Sequence, residues 1–104
     1  MNTKIIDKAA WQIDGGVPEE TVIRHFQIIF EWLNKKDMLT DEGKEEYEVG
    51  IGDCASINAR LISPEALKFF IEKYDDYLRA VEYGEDKNAE ELEKIYNAYM
   101  SGDK

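Results

Sequence analysis

The sequence predicts an all-α fold: an irregular bundle of five or six helices forming a single domain over residues 1–104. Three observations lead there. Residues 17–36, VPEETVIRHFQIIFEWLNKK, place Val22, Ile23, Phe26, Ile29, Phe30 and Leu33 within about 120° of arc at roughly 100° per residue, the face of a core helix. A serine followed by proline, Ser63 and Pro64, opens a second long stretch of the same period. The connections between periodic stretches are short, and no segment repeats.

The central stretch is apolar on two sides, because Ile28 and Trp32 project away from the main face and leave a narrow polar strip that includes Glu20, Arg24, Gln27 and Glu31. Such a helix needs neighbours on both sides. Pro18 fits its first helical position, Glu19 and Glu20 suit the positive end of the dipole, and Lys35 and Lys36 suit the negative end.

Ahead of it, Ile5, Ala9 and Ile13, with Ile6 and Ala10 beside them, predict a short helix over 3–14, stopped by Gly15 and Gly16. Trp11 lies off that stripe and is expected to pack on the next helix. After Lys36, Thr40 can cap a helix over 41–49, with Asp41 and Glu42 in its first turn and Met38, Leu39, Tyr47 and Val49 as apolar contacts. Residues 55–62, ASINARLI, fit either one helical turn through Ile57 and Leu61 or a strand through Ile57, Ala59 and Leu61. A short helix is favoured, since no other segment offers a strand to pair with it. Leu67, Phe70, Ile71, Tyr74, Leu78 and Val81 then share about 100° of arc, predicting a helix over 64–83 that Gly84 ends. Asn88 and Glu91 have the spacing of a cap and its box for a last helix, with Leu92, Ile95, Tyr96 and Tyr99 facing inward.

Composition bounds the function. With 43% hydrophobic and 12% aromatic residues the chain can bury one core, and its size leaves little room for a second domain. No apolar run approaches membrane-spanning length and the N-terminus lacks a signal-like apolar stretch, so a cytoplasmic protein without membrane contact is expected. Cys54 is the only cysteine and His25 the only histidine, which argues against a disulfide, a redox pair or a nitrogen- and sulfur-ligated metal. The net charge of −10 is regional: residues 1–36 are neutral, with five basic and five acidic residues, and 37–104 carry eight basic against eighteen acidic. Such a surface repels phosphate backbones and steers a basic protein partner, so no nucleic acid is expected.

No catalytic constellation, metal site or cofactor motif emerges. His25 has the one side chain whose ordinary pKa is near neutrality, and its place on the helix puts it against the edge of Trp32. A Cys54–His25 nucleophile pair lacks an orienting third group. Asp37, Asp41, Glu42 and Glu45 do not follow the spacing of a calcium loop.

The outer face of 64–83 is more informative. Relative to Glu72, Glu65 falls near 20°, Asp76 near 40° and Phe69 near 60°, at about 100° per residue. Phe69 therefore reads as an aromatic anchor in an acidic ring, a pattern suited to a basic partner. Asp75 and Tyr77 extend it, and Glu45, Glu46, Tyr47 and Glu48 form a second block of the same character. Phe69, Glu72, Asp75, Asp76 and Tyr77, with Glu45, Glu46, Tyr47 and Glu48, are the expected partner-binding set. The sequence does not set the oligomeric state.

A small acidic single domain with aromatics among its acids, as in Tyr74-Asp75-Asp76-Tyr77, resembles the immunity proteins that neutralise bacterial toxins. The resemblance implies a non-enzymatic inhibitor that binds a basic toxin, such as a nuclease, with carboxylates standing where nucleic-acid phosphates would. The extra short helices depart from the four-helix colicin immunity pattern. A second resemblance is to winged-helix regulators: Leu61-Ile62-Ser63-Pro64-Glu65-Ala66-Leu67 is similar to their exit from the wing into the final helix, and Trp32-Leu33-Asn34-Lys35-Lys36-Asp37-Met38-Leu39 to a helix leading into a short strand. It implies a small regulator or adaptor. A DNA reader needs Lys and Arg on its recognition elements, whereas residues 41–52 hold one lysine against five acids.

Overall fold

A computed structural model describes residues 5–52 and 55–102. The elements run β1 (Ile5–Lys8), α1 (Ala9–Asp14), α2 (Glu19–Lys35), α3 (Asp41–Val49), β2 (Ser56–Asn58), α4 (Pro64–Ala80) and α5 (Asn88–Met100). The fold is mostly helical with a small two-stranded sheet, so the all-α expectation holds for the five helices and is corrected for the rest.

α2 is the centre. Val22, Phe26, Ile29, Phe30 and Leu33 are buried on one side, and Ile28 and Trp32 are buried as well, so both apolar faces have found cover. α1, α3 and α5 all pack on this helix. Pro18 is the residue before the first helical position, with φ −55° and ψ 137°, rather than the first helical residue. At the other end Asp37 takes a left-handed φ of 57°. Met38 N–H then reaches Leu33 O at 2.9 Å and Asp37 N–H reaches Asn34 O at 3.1 Å, the paired bonds of a Schellman stop.

The expected helix over 3–14 is corrected within the described residues: 5–8 are strand and the helix begins at Ala9. Its partner is the ambiguous segment over 55–62, where Ser56–Asn58 is strand and not helix. The two pair antiparallel, Ile5 with Asn58, Asp7 with Ile57 and Lys8 with Ser56, with a bulge between Ile5 and Asp7. Each segment carries too few residues to declare its period, and neither is a strand without the other. A single bridge, Leu39 with Ile62, joins the exit of α2 to the entrance of α4.

The capping signals at α3 and α4 act as expected: Thr40 Oγ1 accepts from Gly43 N–H at 3.1 Å and Ser63 Oγ from Ala66 N–H at 3.2 Å. α4 stops at Ala80, where Val81 turns extended, earlier than the predicted end at 83. Asn88 does not cap α5. Its side-chain Nδ2 donates back to Glu82 O at 2.6 Å, tying down the α4–α5 connection, and Lys87 occupies the cap position. α5 docks on α2 and α4 through Leu92, which is buried, and through half-buried Ile95, Tyr96 and Tyr99. Glu93 fastens it to α2, accepting from Trp32 Nε1 at 2.8 Å and from Lys36 Nζ at 2.6 Å. Those hydrogen bonds hold the Glu93 carboxyl below its ordinary range.

Three apolar expectations are corrected. Trp11 is 52% exposed, with the Lys8 ammonium 5.9 Å from its ring centroid, and does not pack into α2. Ile71 is 53% exposed on α4, and Val49 is 88% exposed at the end of α3.

Candidate functional site

α3 is a helix with almost no inner face. Gly43 is its one buried residue, pressed so closely on the chain at Leu61 that a Cβ there would stand 2.0 Å from the Leu61 carbonyl oxygen. One turn later Tyr47 is half-buried against the core. These two, four residues apart, define the inward stripe, and everything else on the helix faces out. In the first turns two of the charges are paired, Glu42 lying 3.3 Å from Arg60 and Lys44 lying 3.4 Å from Asp37. From Glu45 onward none is. Glu45, Glu46 and Glu48 are exposed and, among the described residues, make no ion pair. Val49, four residues after Glu45 and three after Glu46, stands on the same outer face, an aliphatic side chain bracketed by carboxylates. Gly50, with φ of 124°, then turns the chain away in a conformation that favours glycine. Tyr47, Glu48 and Ile51 line a shallow groove beside this face, closed on the α2 side by Arg24, Gln27 and Glu31, with Arg24 itself paired to Asp86.

The predicted patch on α4 comes apart. Phe69 is fully buried, which corrects its assignment as an exposed anchor. Its ring lies 5.1 Å from Tyr96 at 88°, 5.3 Å from Tyr99 and 5.9 Å from Trp32, enclosed where α5 closes over α2 and α4. Helix rotation puts Phe69 on the acidic side; only the docking of α5 converts that side to interior. Tyr77 is buried too, and its membership of the surface set is likewise corrected. It follows Tyr74 by three residues and Phe70 by seven, which places it on their inward side. Glu72, Asp75 and Asp76 are exposed as expected. Glu72 accepts from Tyr99 Oη at 3.2 Å, and Asp76 sits 3.8 Å from both Lys73 and Arg79, so two of the three carboxylates are already engaged. Cys54 lies outside the described residues.

A buried polar chain joins β1, α4 and α2 through Asp7, Tyr74 and His25. Asp7, 3% exposed, accepts from Tyr74 Oη at 2.5 Å, from Gln12 Nε2 at 3.0 and 3.1 Å, and from Lys8 N–H at 2.8 Å. Tyr74 gives its only proton to Asp7, so His25 must be the donor in the 2.9 Å contact between its Nε2 and the Tyr74 oxygen. His25 is fully buried and stacks on Tyr83 at 4.3 Å and 8°, which corrects the expected contact with Trp32. Burial pulls the imidazole down to about 4, and burial with the nearby Asp7 charge pushes the Tyr74 phenol far up. Both groups are thus held neutral, and neither is presented to solvent. The residues involved lie 67 and 49 positions apart, a separation at which no sequence period operates. Val49 was within reach of sequence reasoning, since the Gly43–Tyr47 stripe alone would have turned it outward.

Among the described residues no group of three or more His, Cys, Asp and Glu could hold a metal ion, and no helix is long and apolar enough to cross a membrane. No protein-family model, curated protein or solved structure matches the chain.

Proposed function

We propose that this protein is a non-enzymatic, acidic binding protein that docks a basic protein partner on the outer face of α3. The observation that carries the reading is Val49, 88% exposed beside Glu45 and Glu46, whose carboxylates have no cation of their own among the described residues. An apolar side chain so placed adds nothing to the core, while a partner that covers it excludes water from a contact ringed by unpaired charge. The neighbouring groove at Tyr47 and Ile51 widens the surface.

The immunity-protein form of this function, inhibition of a basic bacterial toxin in the cytoplasm, is supported by the charge of −10, all of it carried by residues 37–104. Carboxylates on α3 would occupy the basic surface that a toxin uses for its own substrate. Glu72, Asp75 and Asp76 on α4 form a secondary acidic surface, weakened as an anchor by the burial of Phe69. The second reading, a regulator or adaptor with a winged-helix-like arrangement, draws on the Leu39–Ile62 bridge at the exit of α2. The acids of α3 argue against DNA as its target.

The test is a pull-down from a lysate of the source cell at low and at high salt, with wild type and two variants. Glu45→Lys with Glu46→Lys and Glu48→Lys should slow association strongly at low salt, and the difference should fade as salt rises. Val49→Asp should shorten the lifetime of the complex while leaving the thermal midpoint unchanged. A partner held equally well by both variants would remove α3 as the docking face.

A further inference from the structure

The ring of His25 has cover on every side but is held unevenly. Phe26 meets it edge-on at 5.3 Å and Tyr77 lies against it at 6.1 Å, both from helices of the core. The closest cover, the parallel ring of Tyr83 at 4.3 Å, comes from the connection between α4 and α5, residues 81–87. Beyond Val81, which is half-buried against the core at its start, this strap has few fastenings. Arg24 and Asp86 meet at 2.6 Å, but the two side chains are 44% and 85% exposed, and such pairs contribute little. Asn88 Nδ2 holds Glu82 O, and Asn88 N–H reaches Glu85 O at 3.0 Å. Gly84, at φ of 80°, lets the strap turn against Thr21.

His25 Nε2 is committed to Tyr74, so the second nitrogen, Nδ1, is an unprotonated acceptor. It is buried and has no partner among the described residues. A proton added there would find no acceptor while the strap is closed. The titratable and charged groups facing the ring are Tyr74 and Tyr77 from α4, Asp7 of β1 acting through Tyr74, and Tyr83 from the strap; Arg24 on α2 itself points to Asp86. Stacked phenol faces attract an imidazolium, yet they supply no hydrogen-bond acceptor to Nδ1.

We propose that residues 81–87 form an acid-sensitive strap: protonation of His25 at Nδ1 swings Tyr83 away, lets water reach the ring, and opens the connection before the core unfolds. The sign follows from linkage. The closed state holds the imidazole near 4 and a hydrated ring titrates near 6.5, so the open state binds more protons between those values and gains population as pH falls through that window. Above 6.5 both states are neutral and the strap stays shut. Its trigger, His25, lies apart from α3, although Arg24, which pairs with Asp86 of the strap, also lines the groove beside that helix.

Nuclear magnetic resonance on the full chain between pH 7 and 4 tests it. Relaxation dispersion at the backbone amides of residues 82–85 reports the open population, which should rise roughly tenfold per pH unit within the window for a single linked proton. The His25 ring shifts should titrate over the same range, and the amides of residues 26–33 should keep their exchange protection. His25→Gln, which preserves a donor toward Tyr74, should make the open population independent of pH. Asp86→Asn removes the exposed ion pair but should leave the pH slope intact. A flat response in wild type, an unchanged slope in His25→Gln, or loss of protection across residues 26–33 with the same slope would each overturn the proposal. Should His25→Gln fail to fold, the wild-type chain still decides: an opening curve whose inflection departs from the His25 ring titration refutes the strap.

Discussion

At the scale of single residues, Phe69 separates what a helix rotation reveals from what burial decides. Its angular position groups it with Glu65, Glu72 and Asp76, yet it is among the largest fully buried side chains, packed with Trp32, Tyr96 and Tyr99. Phe69→Ala is accordingly expected to cost about 3–5 kcal/mol, the range for removing a buried aromatic and comparable with Phe30→Ala. A denaturant titration checks this, and a loss under about 1 kcal/mol would mean that α5 does not seal that side of α4. His25 teaches the same lesson in polar chemistry. The residue with the most versatile side chain in the sequence is placed where burial holds it neutral and a phenol uses up its Nε2–H.

Elements show how weakly a short segment knows its own conformation. Residues 5–8 and 56–58 each contain an isoleucine-bearing run too short to display a period of two, and the ladder between them decides both. α3 is the opposite case. Thr40 and the acids of its first turn mark its start plainly, and its length matches the expectation over 41–49. What sequence pattern misses there is Gly43. Glycine inside an exposed helix is ordinarily a defect of about 1 kcal/mol that alanine repairs. Here a methyl group would meet the Leu61 carbonyl, which belongs to backbone and cannot rotate away, with the Leu39 Cβ also only 3.2 Å off. Gly43→Ala is therefore expected to lose about 1–3 kcal/mol, as overpacking does, in place of the usual gain. Urea unfolding of the pair gives the answer, and a gain in stability would show that α3 does not sit on the 61–63 segment. Because α3 is held mainly through this one close approach and Tyr47, the same substitution should also disturb the proposed docking face.

For the whole molecule, charge is the property that survives every structural correction. The acids of α3, α4 and α5 remain on the surface whether or not particular aromatics join them. Duplex DNA is expected to show no binding at about micromolar protein in roughly 150 mM salt, because a chain of this charge has no set of phosphate contacts from which to release counterions. A filter-binding or anisotropy titration checks it, and sequence-selective retention would favour the regulator reading over the acidic inhibitor. Properties that depend on local spacing or on simple composition were legible beforehand: the period of α2 and α4, the caps at Thr40 and Ser63, the short connections and the acidic half of the chain. They are legible because each is set within one or two helical turns, or by a count of charges. Tertiary structure alone decided that β1 pairs with β2, that α5 buries Phe69, and that Asp7, Tyr74 and His25 join in one buried chain. Each of these depends on which surface covers which, a free-energy balance among residues tens of positions apart that leaves no periodic trace in the sequence.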